Sequence, residues 1–333
     1  MKVGMISFAH QGHANSYARC LMQTSGVEIA AIADADEARG REAVRRYGGD
    51  FYQDYQELLR RDDVSAVVVC SANGEHREMV IAAAEAGKHV LCEKPIATTR
   101  ADALAMVEAC KRAGVIFQIA FPMRFSPPAV DLRRQVRAGA VGTPLSVVAT
   151  NPGSYPGGWF GDPTLAGGGA VMDHTVHVAD MLRWIFEEEI VSVYAEVSTR
   201  LHPDLPVDDC GMLMLKLSNG MPVSLDASWS RPKSWPIWGG VTMEVIGDQG
   251  VLMLDAFRQN LIHADDRNNR YRFVPWGEGG DPALVSAFVA AARTSTEPPV
   301  TGEDGLRALE VALCAYESAQ RHEPVACPDG LVG

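Results

Sequence analysis

Residues 1–12 read MKVGMISFAHQG, an apolar run followed by a short turn that holds a single glycine. Similar apolar runs recur through the first 120 residues, at positions 27–33, 66–70, 90–92 and 116–120. They are rich in valine, isoleucine and alanine and hardly alternate with polar residues, as strands buried on both faces of a parallel sheet do. Helical patterns separate them, at positions 41–47, 56–60, 76–86 and 101–113. The sequence therefore predicts an α/β fold with an N-terminal doubly wound parallel sheet.

The ligands of such a sheet bind in the crevice beyond the carboxyl ends of its strands. His10 and His13 flank Gly12 at the first of these ends. We expect His10 to face the phosphates of a dinucleotide, whereas His13 is equally consistent with packing at the start of a helix. The residues predicted to contact a cofactor are Phe8, Ala9, His10, Gly12, Asp34, Ser71, Asn73, His76, Glu93 and Lys94.

The first turn departs from the usual G-x-G-x-x-G pattern, because Ser7 and Ala9 replace its first two glycines. Asp34 lies 22 residues after Gly12, where it is placed to bind a ribose diol and to repel a 2'-phosphate. This position favours NAD over NADP, although Arg39 lies nearby in the sequence and counts against that preference. The alternative for Asp34 is a turn or capping residue.

A second polar pattern lies further along the chain, where Asp173 and His177 follow the glycines at positions 167–169. A helix from Ala170 to about Phe186 would place both side chains on one face, near its N-terminal end. Far upstream, an apolar run ends in Glu93-Lys94-Pro95, and the proline keeps Lys94 extended at a strand's carboxyl edge. Lysine, aspartate and histidine together suit proton chemistry on a carbinol.

After Arg124 the pattern changes to longer strands with partial alternation. They predict a C-terminal α+β domain with a large, mostly antiparallel open sheet and one face on helices. The predicted strands are 190–199, 211–217, 222–229, 241–246 and 250–255, and the predicted helices are 283–293 and 302–320. We place the dinucleotide-binding Rossmann domain at residues 1–122 and the substrate-binding domain at residues 123–333.

Composition limits the partners. The net charge of −12 argues against binding to nucleic acid or to an anionic membrane surface. The chain has no apolar run long enough to span a membrane, and its first residues look like a strand instead of a signal peptide, so we expect a cytoplasmic protein. Seven scattered cysteines without a C-x-x-C pair indicate neither a disulfide framework nor a zinc site. A small-molecule partner is favoured.

Taken together, these motifs make the chain resemble the Gfo/Idh/MocA oxidoreductases, the glucose-fructose oxidoreductase and inositol dehydrogenase group, across nearly its whole length. The matching signatures are Ala33-Asp34, Asn73 to His76, Glu85 to Val90, Glu93-Lys94-Pro95, Arg124-Phe125 with Pro127, and Gly167 to Gly169 with Asp173, His177 and Asp180.

The resemblance implies an NAD(P)-dependent oxidoreductase that transfers hydride between nicotinamide and a carbinol of a sugar, cyclitol or related polyhydroxyl substrate. It further implies that Lys94 orients the substrate hydroxyl and the nicotinamide, that Asp173 fixes the substrate, and that His177 is the general acid/base. It implies, finally, that residues 123–333 are also an oligomerisation domain, which forms a homodimer or homotetramer through the C-terminal sheet.

Four further residues are predicted to bind substrate, each beside a structural alternative. Arg124 would pair with an anionic or polyhydroxyl ligand, or would tie the interdomain linker by a surface ion pair. Tyr155 and Trp159 would stack on a sugar ring or fill a domain junction. His174 would contact substrate, serve the structure, or join His177 and Asp173 around a metal. We predict no metal, because the sequence identifies no further ligand.

Two other functions remain open at this point. One is a reaction without net redox change on sugar derivatives, such as isomerisation, elimination or glycoside cleavage, with a tightly bound or absent nucleotide and with or without a metal. The other is a binding or regulatory protein that has lost its chemistry. The complete set of Lys94, Asp173 and His177 argues against the latter.

Overall fold

The computed structural model describes residues 1–258, 260–265, 270–275 and 279–328. The chain folds into two compact units. Unit 1 comprises residues 1–121, 164–167 and 281–309, and unit 2 comprises the described residues within 122–163, 168–280 and 310–328. The domain boundary after residue 122 stays a prediction. The last five residues of the predicted second domain, 329–333, lie outside the described residues.

The strands, in chain order, are β1 (Lys2–Ile6), β2 (Glu28–Ala33), β3 (Asp50–Tyr52), β4 (Ala66–Val69), β5 (His89–Glu93), β6 (Phe117–Ala120), β7 (Pro144–Thr150), β8 (Ile190–Ser198), β9 (Cys210–Leu217), β10 (Pro222–Asp226), β11 (Thr242–Gly247), β12 (Val251–Asp255), β13 (Asn260–Asp265), β14 (Arg270–Pro275) and β15 (Val325–Ala326). The α-helices are α1 (Gln11–Gln23), α2 (Glu37–Tyr47), α3 (Tyr55–Leu59), α4 (His76–Glu85), α5 (Arg100–Ala113), α6 (Pro127–Arg137), α7 (Pro163–Ala166), α8 (Ala170–Phe186), α9 (Asp281–Thr294) and α10 (Gly302–Arg321). Short 3-10 turns occupy Asn73–Glu75, Pro122–Phe125 and Gly158–Gly161.

Unit 1 is built on a parallel sheet with the strand order β3-β2-β1-β4-β5-β6. The order runs outward from β1 in one direction and from β4 in the other, so the topological switch point lies between these two central strands. The predicted strands and the doubly wound class are confirmed. The sequence pattern does not predict β3, because this edge strand has three residues and no apolar run.

Helix α9 completes unit 1, although it lies far along the chain. It packs against α1, and Arg293 donates hydrogen bonds to the carbonyl oxygens of Ser25 and Gly26, at 2.9 and 2.8 Å. Gln118 in β6 also donates to the carbonyl oxygen of Leu284, at 3.2 Å. These contacts between distant segments lie beyond what local sequence patterns predict.

Unit 2 holds a seven-stranded sheet with the order β12-β11-β7-β10-β9-β8-β15, and a separate hairpin of β13 and β14. All neighbours in the large sheet are antiparallel except β7 and β10, which confirms the mostly antiparallel sheet. The sequence pattern does not predict β7, because its exposed positions, Leu145 and Val148, are apolar and conceal the alternation of polar and apolar residues. No helix in the described part of the chain is long and apolar enough to cross a membrane.

Candidate functional site

In the first strand–helix turn of unit 1, a serine adopts the backbone conformation that the first glycine of a dinucleotide-binding turn usually has. Ser7 adopts a left-handed φ of 65°, which glycine normally provides, and its Oγ accepts a hydrogen bond from the Ala9 amide at 3.1 Å. Helix α1 starts four residues later, and a Cβ placed on Gly12 would meet no atom within 4 Å. Open space at the start of a 13-residue helix fits a diphosphate, because its free amides and dipole favour an anion.

Hydrogen bonds connect the turns at the carboxyl edge of the parallel sheet. The Phe8 amide donates to Asp34 Oδ2 at 2.8 Å, and the His10 amide donates to the Cys70 carbonyl oxygen at 3.0 Å. The structure thus brings the predicted cofactor residues to one edge of unit 1. Ala9 and His10 there are half-buried and Gly12 is exposed, whereas the buried members are Phe8, Asp34, Ser71, Asn73, His76, Glu93 and Lys94.

The Asp34 carboxylate accepts hydrogen bonds from three residues. Besides the Phe8 amide, it accepts from the Asp36 amide at 2.9 Å and from both Nε and Nη2 of Arg39, at 2.8 and 2.6 Å. Arg39 is about one-third exposed, and its hydrogen bonds to Asp34 raise its pKa. Asp34 therefore has the role of a turn residue, which is the alternative to ribose binding. Its carboxylate orders the turn that leads into α2.

Two predicted cofactor residues hold backbone in place. His76 is buried, which lowers its pKa and keeps the ring neutral, and its Nδ1 donates to the Pro95 carbonyl oxygen at 3.0 Å. The two oxygens near Nδ1 are the carbonyl oxygens of Pro95 and Ile96. Because a carbonyl oxygen can only accept a hydrogen bond, the proton resides on Nδ1. Asn73 donates to the Ala166 carbonyl oxygen at 2.9 Å. His76 therefore fixes the segment that follows Lys94, whose peptide bond to Pro95 is cis.

Glu93 is a fully buried carboxylate that contacts two residues of α1. His13 Nδ1 lies 2.8 Å from its Oε1, and the Tyr17 hydroxyl donates to its Oε2 at 2.8 Å. Burial alone would raise the pKa of Glu93 and lower that of His13, but their mutual attraction reverses both shifts. His13, for which the sequence leaves phosphate contact and packing at the helix start equally open, thus neutralises the charge of Glu93.

We predict that the His13–Glu93 ion pair makes stability depend on pH. The pKa of His13 is raised above 6.5, so its contribution is complete below pH 6.5 and is lost as the pH rises through the folded value. The pKa of Glu93 is lowered from 4.5, so its contribution is lost only as the pH falls below that range. The unfolding free energy lost in His13→Gln, measured with urea, should be larger near pH 6 than above pH 8.

His89 provides the matched control, since it lies in the same unit and burial lowers its pKa. The loss in His89→Gln should change with pH in the opposite direction, because a histidine with a lowered pKa disfavours the folded state at low pH. A loss in His13→Gln that is the same at both pH values would contradict the ion pair.

Helix α8 of unit 2 begins and ends where the sequence predicts, at Ala170 and Phe186. Asp173, His174 and His177 lie on it and are all buried, with 8%, 2% and 5% exposure. The four-residue spacing of Asp173 and His177 places both on one face of the helix. These groups can orient a hydroxyl and transfer its proton if the helix end is held still.

The N-terminal end of α8 is held by two residues that the sequence analysis did not single out. The Asp208 carboxylate accepts from the amides of Gly169 and Val171, at 2.8 Å each. The Tyr316 hydroxyl donates to Asp208 at 2.7 Å and accepts from the amides of Gly169 and Met172, at 3.1 Å each. A Cβ on Gly169 would come within 1.8 Å of the Asp208 carbonyl oxygen, so glycine is required there.

We predict that Asp208→Asn loosens this end of α8. The amide group of asparagine places a donor against amide donors, which should lower the free energy of unfolding by about 1–3 kcal/mol. Hydrogen exchange should show faster exchange of the amides of residues 169–172, with a parallel fall in kcat.

Asp209→Asn is the control for this prediction. Asp209 accepts from the amides of residues 200–202, so its loss should destabilise a different loop. Unchanged exchange at residues 169–172 in Asp208→Asn would show that the carboxylate does not hold the helix.

Asp173 has two buried neighbours within unit 2. Trp229 Nε1 donates to its Oδ2 at 3.3 Å, and His174 Nε2 lies 3.3 Å from the same oxygen. His174 also packs so closely on Gly153 that a Cβ there would lie 2.5 Å from its ring. The sequence does not identify Trp229 as a neighbour of Asp173. The only signal is a general one, because the ring N–H of a buried tryptophan usually finds a hydrogen-bond partner. These contacts fix the carboxylate on one side.

The other predicted substrate residues pack within unit 2. Arg124 donates to Asp180 at 2.8 and 2.6 Å, so it forms an ion pair as the alternative predicts, but the pair is buried and bidentate and does not lie at the surface. Tyr155 packs against Trp229 with 5.0 Å between the ring centroids, and Trp159 stacks on Phe160 with 3.9 Å between the ring centroids. Their rings belong to a hydrophobic cluster and remain half-buried, so each keeps an accessible edge.

Potential metal ligands come together in unit 1. Ligand atoms of His10, His13 and Glu93 lie within 4.8 Å of one another. Among the described residues, no such group of three includes His174 or His177. The observed contacts of Glu93 are those of an ion pair and a hydrogen bond.

The parallel sheet, its switch point and the polar edge beyond it define a Rossmann dinucleotide-binding protein. Residues 1–121 match the family model described as oxidoreductase family, NAD-binding Rossmann fold, and residues 130–253 match the GFO/IDH/MocA C-terminal domain. Myo-inositol 2-dehydrogenase of Thermotoga maritima is 30% identical over 98% of each chain. Inositol 2-dehydrogenase 2 of Saccharopolyspora erythraea is 33% identical, over 96% of this chain and 93% of that one.

A solved structure of levoglucosan dehydrogenase, in complex with NADH and L-sorbose, superimposes with a TM-score of 0.84 at 28% identity. It covers 98% of this chain and 99% of its own. The chain therefore belongs to the Gfo/Idh/MocA oxidoreductases, which confirms the resemblance, and it is an NAD(P)-dependent dehydrogenase.

Proposed function

We propose that this enzyme oxidises one carbinol of a sugar or cyclitol with NAD, through His177, Asp173 and Lys94. The observation that supports it best is the placement of His177 and Asp173 on one face of a helix whose end Asp208 and Tyr316 hold. Inositol and levoglucosan dehydrogenases are among the relatives, which favours redox chemistry over isomerisation or elimination.

In the proposed reaction, the carbinol carbon loses a hydride and its hydroxyl loses a proton. NAD, when bound, supplies the hydride acceptor. His177 takes the hydroxyl proton on a ring nitrogen, because a neutral imidazole is a base near pH 7. Lys94 donates a hydrogen bond to the reacting oxygen, and Asp173 accepts one from a substrate hydroxyl and so orients the ring.

We propose different roles for the residues around Asp173. His174 lies next to that carboxylate and contacts a second substrate hydroxyl. Tyr155 and Trp159 offer aromatic edges on which a sugar ring packs. Arg124 acts indirectly, since Asp180 occupies its guanidinium and thereby fixes the middle of α8.

We predict that His177→Ala and Lys94→Ala each slow single-turnover hydride transfer by about two to four orders of magnitude, the usual cost of losing a proton-transfer group. The measurement follows NADH absorbance with myo-inositol, levoglucosan and other polyols at enzyme concentrations above that of the cofactor.

His322→Ala is the matched control, because this histidine is exposed and lies beyond α10. It should turn over like the wild type, and each variant is compared at equal thermal stability. Turnover within a few-fold of wild type in both His177→Ala and Lys94→Ala would refute the proposed roles. Loss confined to His174→Ala, with a rate that depends on added divalent metal, would favour a metal-assisted reaction.

We propose that NAD is preferred over NADP because Asp34 is buried where the ribose of the adenosine half binds. A 2'-phosphate there would meet a carboxylate with 2% exposure. Arg39 is already paired with Asp34, which reduces its capacity to attract a phosphate.

We predict that Asp34→Ala removes this discrimination, because the change removes a negative charge and releases Arg39. Calorimetric titration should show the ratio of the two dissociation constants falling at least about tenfold. Asp54→Ala is the control, since Asp54 caps α3 in the same unit and is exposed. Tighter NADP binding by the wild type would overturn the assignment.

We propose a homodimer or homotetramer that covers the outer face of the large sheet. One row across six strands consists of Met253, Glu244, Val148, Ser224, Met214 and Tyr194. Met253, Met214 and Val148 are 79%, 50% and 44% exposed. Water-exposed apolar rows of this kind are typical of contact surfaces.

We predict that the wild type scatters light as a multiple of the 35.9 kDa chain, and that Met214→Lys with Met253→Lys shifts it toward the monomer. Met22→Lys is the control, because Met22 is 56% exposed on α1 of unit 1. A stable single-chain wild type at micromolar concentration would exclude the assembly.

We propose the cytoplasm as the compartment. The scattered cysteines, odd in number, give no disulfide framework of the kind that secreted domains use. Fusion to a fluorescent protein and cell fractionation test this placement.

A further inference from the structure

Two cysteines meet at one edge of the seven-stranded sheet. Cys314 lies on α10, and Cys327 directly follows the edge strand β15. Cys314 Sγ lies 3.9 Å from the carbonyl oxygen of Ala326, the residue that directly precedes Cys327. Both are buried, with 6% and 9% exposure, and neither belongs to the proposed catalytic machinery.

The backbone on both sides of this pair is anchored to β8. Ser318, one helical turn after Cys314, accepts from the Ala195 amide at 3.0 Å and donates to the Glu323 carbonyl oxygen at 2.7 Å. The Cys327 amide donates to the Val191 carbonyl oxygen at 3.0 Å. Because the helix and the edge strand are both fixed to β8, the backbone segments that carry the two thiols are held in place next to each other.

The pKa of Cys314 shifts in the opposite direction to that of two other buried cysteines. Its hydrogen bond with Cys327 lowers its pKa, against the effects of burial and of Glu317 and Glu310. Burial raises the pKa of Cys110 to about 12 and that of Cys20 to about 11. Since the thiolate is the nucleophile, Cys314 is favoured for attack on a disulfide.

We propose that Cys314 and Cys327 form a reversible disulfide when the protein meets a small disulfide such as oxidised glutathione. The Cys314 thiolate attacks one glutathione sulfur, the S–S bond of oxidised glutathione breaks, and one glutathione thiolate leaves. The Cys327 thiolate then attacks Cys314 Sγ and displaces the second glutathione. Two protein thiols are oxidised, one small disulfide is reduced, and the two cysteine protons pass to the two glutathione thiolates.

The bond would fasten the last strand of the sheet to α10. Strand β15 has two residues and lies at the sheet edge, where backbone pairing is least secure. A covalent link across the short turn between α10 and β15 limits the opening of this edge. We therefore expect oxidation to stabilise the C-terminal segment without a requirement for substrate or cofactor.

The test incubates the full-length protein with oxidised glutathione, blocks remaining thiols with iodoacetamide and digests it without reduction. We expect a peptide pair joined through Cys314 and Cys327, and before blocking an intact mass lower by about 2 Da. Dithiothreitol should reverse both changes. A mixed glutathione disulfide that persists at Cys314, or linkage of either cysteine to another chain, would overturn the proposal.

Thermal unfolding of the variants supplies a second readout. Oxidised wild type should melt a few degrees higher than the reduced protein, and Cys314→Ser and Cys327→Ala should each lose this difference. Cys210→Ser is the control, because Cys210 is half-exposed on β9 and should leave the shift intact. An equal shift in Cys327→Ala would contradict the assignment whatever the basal stability of that variant.

Discussion

The buried contact between Asp208, Tyr316 and the amides of residues 169–172 is the constraint on which the proposed chemistry depends. A helix start has unpaired amides, and a buried one needs acceptors from elsewhere in the fold. A carboxylate and a phenol hydroxyl supply them in this protein, and Tyr316 also donates to Asp208. The direction of α8, and with it the placement of Asp173 and His177, follows from this arrangement.

A second buried carboxylate, that of Glu93, links a strand and a helix in unit 1. Glu93 contacts His13 and Tyr17 on α1 while it precedes Lys94 in the chain. The same residue therefore joins the helix whose N-terminal end suits a diphosphate to the strand that ends directly before the proposed catalytic lysine. Its charge remains tolerable in the interior because His13 neutralises it, although burial opposes the charge on both partners.

Several residues assigned from the sequence to ligand contacts also shape the protein. Asp34 binds Arg39 and two backbone amides, His76 binds the Pro95 carbonyl oxygen, and Arg124 binds Asp180. A ligand role for Asp34 requires that a ribose share or replace these partners. This dual use explains why such motifs are readable from sequence while the energetic part that each residue plays is not.

The sequence by itself determined the class of fold, nearly every strand of the parallel sheet, the bounds of α8 and the motifs that identify the family. These features depend on local periodicity and short spacings, which a single segment carries. Only the tertiary structure decided that Asp208 and Tyr316 cap α8, that Trp229 binds Asp173, that α9 completes unit 1 and that β7 lies inside the second sheet. Each of these joins segments far apart in the chain or hides its alternation behind apolar exposed residues, so no local pattern predicts them.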